Sequence, residues 1–349
     1  SGATQALWTA VRELHGGVLR TPFGVLVGRK DQVLQAFTNA GRNLTVAGYL
    51  ERMEKSFGGI YLGLDGNDPE YGRLSPATNH AIQAVTRDQA YASAFGHTQH
   101  VVQGYVAALQ AGDELAVEIK DLVDGVLARV SAEYFGLPDG KCVKDGGWHG
   151  CWPDAPRCPA HFHAPSRYMF QPQPGPQAED IGQQHGKLLT PAVTDFVKAA
   201  RQAPPRARIA RAVLTDPNIK DDEEAARTLI GALMGFLPTV DGNLRGVMYE
   251  WVSDRTLWDL QATLVAASGP KAPPLKVAHE ILLDPLARTM QLRPVPELTW
   301  RRVRERHSLA TVEVQPGETV VLGIVSALHD DLLRDRRLPS GDPTAHRDL

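Results

Sequence analysis

Cysteine is scarce in this chain: three of 349 residues, Cys142, Cys151 and Cys158. So few, and an odd number, exclude a secreted disulfide framework and fit a reducing compartment, which makes the cytoplasm the expected location. No run approaches the roughly 18–20 uninterrupted apolar residues that a membrane-spanning helix needs, and the first residues carry neither the basic nor the apolar region of a secretory signal. Neither sign of charge is in excess. Lys and Arg number 37 against 40 Asp and Glu, a formal net charge of −3, which excludes the basic surface of a nucleic-acid binder. With 43% hydrophobic residues the chain has enough apolar surface to fold, so general disorder is excluded too. Internal repeats and low-complexity tracts are also lacking.

The patterns that are present are mostly helical. Residues 16–28 set short extended runs around Gly and Pro and read as two strands and a turn. Asp31 caps a short helix carrying Val33, Leu34 and Phe37, and 49–110 is helical apart from loops near 63–68 and Gly96. From Leu122 to Phe135 apolar residues recur at helical spacing and stop at Gly136-Leu137-Pro138-Asp139-Gly140, a strong terminator. Helices are expected again over 179–200, 206–214, from Asp222 into Pro238, and over 279–292. The segment 141–177, rich in Gly, Pro, His, Trp and Cys, has no period and reads as an irregular insertion. Residues 311–322 alternate like a β-hairpin. The expected fold class is mainly α with small β-sheets contributed by the two ends of the chain, in a single domain spanning 1–349.

The order of several segments resembles the cytochrome P450 family. Asp68-Pro69-Glu70-Tyr71-Gly72-Arg73-Leu74 is similar to its D-P-P-E-H-x-R-L segment, and Tyr134-Phe135-Gly136-Leu137-Pro138 to an L-G-x-P helix end. Residues 231–242 stand where the family's central helix crosses the haem face. Gln291-Leu292-Arg293-Pro294-Val295-Pro296, then Trp300-Arg301-Arg302, resembles the end of its K helix and the strand after it. Val314-Gln315-Pro316-Gly317-Glu318-Thr319-Val320, leading to Ser326-Ala327-Leu328-His329-Asp330, is similar to I-P-x-G-x-x-V followed by A-A-N-R-D. The resemblance implies haem b, a hydrophobic small-molecule substrate and a monooxygenase, fed by a separate electron-transfer protein; peroxide-driven oxidation or hydroperoxide rearrangement is the variant. It also places 141–177 as a lid beside the substrate entrance. The family's axial Cys lies in a loop downstream of the last match, so the iron ligand is expected beyond Leu349. The K-helix E-x-x-R pair aligns with Arg288 and Gln291, for which Asp284 and Arg288, at i, i+4, would form a substitute.

For the site, the resemblance implies Arg301, Tyr71 and Arg73 at the haem propionates, Thr239 as the catalytic hydroxyl, and Leu233, Gly235, Phe236 and Pro238 as substrate-pocket walls. A guanidinium fork suits a carboxylate, yet Arg301, Arg302, Arg304 and Arg306 also read as a solvated basic cluster. The central helix reads Pro238-Thr239 where the family carries an acid beside a threonine. Proline frees carbonyls near a ligand, but only the hydroxyl of the proton-delivering pair is present. His97 and His100 share a helix face that would suit a metal, and Cys142, His149, Cys151, Cys158, His161 and His163 invite a zinc reading, although their spacing fits no C-x-x-C framework. The altered positions keep a second class open: a haem-free P450-like scaffold that binds a ligand or partner.

Overall fold

The computed structural model describes residues 2–38, 41–110, 112, 114–136, 158–203, 205–269 and 271–335. The chain begins with α1 (Gly2–Glu13), the strands β1 (Val18–Thr21) and β2 (Gly24–Val27), α2 (Lys30–Thr38), β3 (Leu44–Thr45) and α3 (Ala47–Ser56). A 3-10 turn over Tyr61–Gly63 leads into α4 (Pro69–Gln83), α5 (Arg87–Ala107) and α6 (Ile119–Phe135). Next come α7 (Cys158–Phe170), α8 (Pro176–Gln202), α9 (Arg208–Thr215), the 32-residue α10 (Asp222–Ser253), α11 (Thr256–Ser268) and α12 (Leu275–Leu292). Strands β4 (Thr299–Val303), β5 (His307–Leu309), β6 (Val312–Val314) and β7 (Thr319–Leu322) precede α13 (Ile324–Asp335). The fold is mainly α with small sheets, as expected. Among the described residues no helix is long and apolar enough to cross a membrane.

Local chemistry sets the helix ends. Asp68 accepts from Glu70 N with Pro69 in the first turn of α4, and Thr86 with Gln89 forms a reciprocal capping box that starts α5. Gly96, expected as a loop, lies inside α5; one glycine costs about 1 kcal/mol in a helix interior, little for a capped helix of 21 residues. Gly136 ends α6 at φ +70°, and a Cβ there would stand 2.7 Å from Phe196, so the position requires glycine twice over. Asp221 caps α10, whose first turn holds Asp222, Glu223 and Glu224 where the helix dipole favours negative charge.

Three expectations need correction. Residues 158–177 are not irregular: α7 and α8 occupy most of them. Phe162, Pro165 and Met169, at i, i+3 and i+7, form one buried face of α7, and the prolines that read as breakers are tolerated because tertiary burial outweighs propensity. Residues 137–157 lie outside the described part. Residues 312–322 do not form a hairpin. β6 pairs with β5, whereas β7 runs parallel to β2 (Val25↔Val320) and antiparallel to β4 (Trp300↔Val321). The two ends of the chain therefore share one sheet, ordered β1-β2-β7-β4-β3, and the second sheet is only β5-β6. Finally, Pro238 does not stop α10, which continues to Ser253. Past the proline, Asn243 Nδ2 donates to Thr239 O at 2.9 Å and to Val295 O at 3.3 Å, tying the helix to the segment before β4.

One side chain fastens the helices to the sheet. Arg52, on α3, donates to the carbonyls of Tyr168, Met169, Gln171 and Pro172 at 2.5 to 3.0 Å, which covers the orphan acceptors at the end of α7. Its guanidinium lies 4.4 Å from the Trp300 ring, and Trp300 Nε1 donates to Met169 O at 3.1 Å. Burial lowers the Arg52 pKa from its ordinary value, against the pull of Tyr168, Tyr49 and Glu179. Arg52→Ala should lower unfolding free energy by about 3 kcal/mol in urea denaturation, the cost of leaving several part-buried acceptors unsatisfied. Arg52→Lys should recover less than half, because an ammonium cannot fork across two carbonyl rows.

Candidate functional site

The side chains of α10 decide where a ligand can lie. At about 100° per residue, Gly235, Thr239, Gly242 and Gly246 fall along one face. A Cβ built on Gly235 or Gly246 would meet nothing within 4 Å, whereas one on Gly242 would press into Val295 at 2.9 Å. This face is lined by small residues and partly open. Thr239 and Pro238 are half-buried beside it. The wall expected from the contiguous run 233–238 does not form, because consecutive helical residues point in different directions. Leu233 is fully buried on the core side, and Phe236 is stacked on Phe135 of α6, ring centroids 5.7 Å apart.

Arg301 projects from β4 at the side of α3. Its Nη1 donates to Trp300 O at 2.8 Å, Thr299 Oγ1 at 3.1 Å and Tyr49 OH at 3.3 Å, and the guanidinium sits 5.3 Å from the Phe37 ring. Its Nε is buried without a hydrogen-bond partner. The neighbouring arginines differ. Arg302 pairs with Glu51 at 2.5 Å, Arg304 with Asp65 at 2.5 Å and Arg306 with Glu313 at 2.6 Å. The basic cluster thus resolves into three matched pairs and one guanidinium, Arg301, held in place but facing no carboxylate among the described residues.

Arg73 is engaged elsewhere. It forms a fork on Glu224, with Nη1 at 2.8 Å from Oε2 and Nη2 at 2.6 Å from Oε1, and also reaches Asn218 O and Glu70. Glu224 is drawn below the ordinary carboxylate range chiefly by this hydrogen bonding, against a smaller effect of burial. The Nη1 and Nη2 edge of Arg73, expected at a propionate, is thus engaged by Glu224, a buried acid from the first turn of α10. Tyr71 lies half-buried, its ring 6.3 Å from that of Tyr61, and makes no hydrogen bond to Arg301.

The other expected groupings do not form. Asp284 and Arg288 are both exposed and unpaired, while Gln291 is buried with Oε1 unsatisfied. The link between α12 and α10 is made instead by Trp251 Nε1, donating to Thr289 Oγ1 at 2.9 Å, and by Arg293 with Glu250 at 2.5 Å. His97 Nε2 sits 2.8 Å from Glu133 Oε2, which also accepts from Ser93, and His100 is exposed. No cluster of three metal-holding side chains occurs among the described residues. Cys142, His149 and Cys151 lie outside them.

No family model and no curated protein matches the chain. Solved structures do. EryK from S. erythraea superposes with a TM-score of 0.70 at 17% identity, over 98% of this chain and 79% of that one. P450BioI, in complex with acyl carrier protein ligated to hexadec-9Z-enoic acid, gives 0.69 at 13% identity over 96% and 82%. Ligand-free TbtJ1 gives 0.65 at 18% identity over 97% and 78%. The chain has the cytochrome P450 fold. In such a fold the small-residue face of α10 and the free edge of Arg301 fit a porphyrin and its carboxylate: one leaves space for a flat ring, and the other offers a buried donor with no protein acceptor. An axial thiolate is not among the described side chains.

A charged network that sequence reasoning missed crosses from α7 to α10 to α6. His163 Nε2 lies 3.3 Å from Asp241 Oδ2, Arg245 Nε 2.6 Å from Asp241 Oδ1, and Arg245 Nη2 2.7 Å from Asp124 Oδ1, which Lys120 meets from the other side at 2.8 Å. The signal in the sequence was Asp241 and Arg245 at i, i+4 inside an apolar helix. Asp241 stands about 200° around α10 from Thr239, so it cannot be the acid that assists that hydroxyl. Burial raises the Asp241 pKa despite His163 and Arg245, and burial lowers that of His163 despite Asp241. A histidine with a lowered folded pKa binds protons more readily when unfolded, so stability is kept above the ordinary value of 6.5 and lost as pH falls through the folded pKa. The midpoint of thermal unfolding should drop over that window in the native chain, and the drop should be absent in His163→Gln.

Proposed function

We propose that the chain is the body of a haem-thiolate oxidoreductase acting on a hydrophobic small molecule. Two observations carry this in a P450 fold: the guanidinium of Arg301, which meets no carboxylate among the described residues and keeps Nε without a partner, and the small-residue face of the central helix. Arg301, prearranged by Tyr49, Thr299 and the Trp300 carbonyl, would hold a haem propionate with its free edge, and Tyr71 would offer a phenolic donor to a propionate. Gly235, with open space above it, would let the ring approach α10, and Thr239 holds a proton on that face. When bound, a haem-thiolate supplies electron density that favours O–O cleavage. The substrate is expected on the Gly235–Thr239 side, with Pro238 lining it and leaving the Met234 carbonyl without its usual helix donor.

Monooxygenation with electrons from a separate protein is the primary reading. One observation favours a second: among the described residues no carboxylate of α10 stands within a turn of Thr239 on its face, since Asp241 points away and Glu224 and Glu250 are paired with Arg73 and Arg293. Proton delivery then rests on a hydroxyl and water, which suits an oxidant that arrives already reduced, as a peroxide or a substrate hydroperoxide.

Optical titration of the purified chain with haemin tests the proposal. Saturable binding with a sharpened Soret band is expected, and Arg301→Ala should weaken it at least tenfold, since a hydrogen bond to a charged group contributes about 1.5–3 kcal/mol. Arg73→Ala should leave haem affinity unchanged while costing about 3 kcal/mol of stability, because it strands the buried Glu224. A chain that takes up no haem would instead be a binding scaffold. Ferrous–CO spectra then report whether a thiolate is the axial ligand.

A further inference from the structure

A second cleft, of about 490 Å³, opens between α6, α7, α8 and α10. It shares none of its lining with the Gly235–Thr239 face or Arg301. Lys120, His163, Arg167 and Arg245 line it against a single acid, Asp124, and Ala178 and Ile181 of α8 form an apolar flank. The charges beneath are already balanced: Asp124 lies between Lys120 and Arg245, and Asp241 between Arg245 and His163. Arg167, one turn beyond His163 on α7, adds a positive charge with no ion pair among the described residues, and Gln177 of α8 lines the same cleft. Arg245 keeps Nη1 free after spending Nε on Asp241 and Nη2 on Asp124.

We propose that this cleft binds a tetrahedral oxyanion, the phosphate or sulfate group of a small ligand, gripped by Arg167, Lys120 and the free Nη1 of Arg245. Guanidinium forks match the spacing of oxyanion pairs, and the ion pairs on Asp124 and Asp241 hold Arg245 and Lys120 in position without neutralising Arg167. The Ala178–Ile181 flank favours a short apolar substituent over a bare ion. His163 faces Asp241, Arg245, Asp124, Lys120 and Arg167. An anion arriving above it opposes the burial and the charges of Arg245 and Lys120 that hold it neutral, so binding takes up a proton at this ring.

Sulfate is the probe, because it does not titrate near neutrality. Calorimetric titration of the full chain with sodium sulfate, against sodium chloride at matched ionic strength, should show saturable one-site binding. Arg167→Ala should weaken it at least tenfold with an unchanged melting temperature, since the Arg167 side chain is exposed and has no hydrogen bond or ion pair among the described residues. Lys198→Ala, on the far part of α8, should leave it unaltered. Affinity should rise as pH is lowered from 7 to 6 in the native chain and stay flat in His163→Gln. Sulfate heats indistinguishable from chloride, or full binding by Arg167→Ala, would overturn the proposal, and a pH dependence that survives His163→Gln would remove the histidine from it.

Discussion

The guanidinium of Arg52 is the point on which the site's frame depends. Four carbonyls at the end of α7 need donors, and no element of α7 or α8 supplies them. Arg52 does so from α3 while lying on Trp300, so one side chain joins α7 to the strand that carries Arg301. Tyr49, a turn earlier on α3, accepts from Trp300 N at 2.9 Å and from Arg301 Nη1. Helix capping and positioning of the unmatched arginine are therefore one packing unit, with Gly48 small enough to admit the Trp300 ring against the helix: a Cβ there would lie 2.4 Å from it.

The central helix divides the molecule by a geometric rule. One flank is small and open, and the opposite one is apolar, with Leu229, Ile230, Leu233 and Leu237 fully buried. Asp241 belongs to the buried side, and a carboxylate there survives only because Arg245 and His163 converge on it. Such an arrangement separates two chemistries on one helix. Among the described residues no carboxylate of α10 stands within a turn of Thr239 on its face, and the charge cluster two positions further serves the junction of α6, α7 and α10.

Ion pairs elsewhere act as ties between distant parts of the chain. Arg73 with Glu224 joins the start of α4 to the start of α10, and Arg12 donates to Ser326 Oγ at 2.8 Å, joining α1 to α13. The five-stranded sheet does the same with backbone, since β2 and β7 come from opposite ends of the chain. Closure of this kind gives the helices a fixed platform from which β4 presents Arg301.

Much of this was legible in the sequence. Asp68-Pro69, the terminator at Gly136 and the periodic runs of α6, α8 and α12 are local signals, because caps and amphipathic spacing act within a few residues. The order of motifs pointed to the P450 fold for the same reason: each is a short stretch with its own turn or cap. What the sequence concealed was partnership. Nothing near Arg73 announces Glu224, and four arginines in 301–306 look alike until Glu51, 251 residues from Arg302, arrives beside one of them. Whether 312–322 folds back on itself, or gives one strand to each of two sheets, depended on β2 being available to pair. Local propensity thus determined where helices start and stop. Only the tertiary structure decided which charges are spent and which remain free, because an ion pair or a strand pairing is set by groups that the chain brings together from far apart.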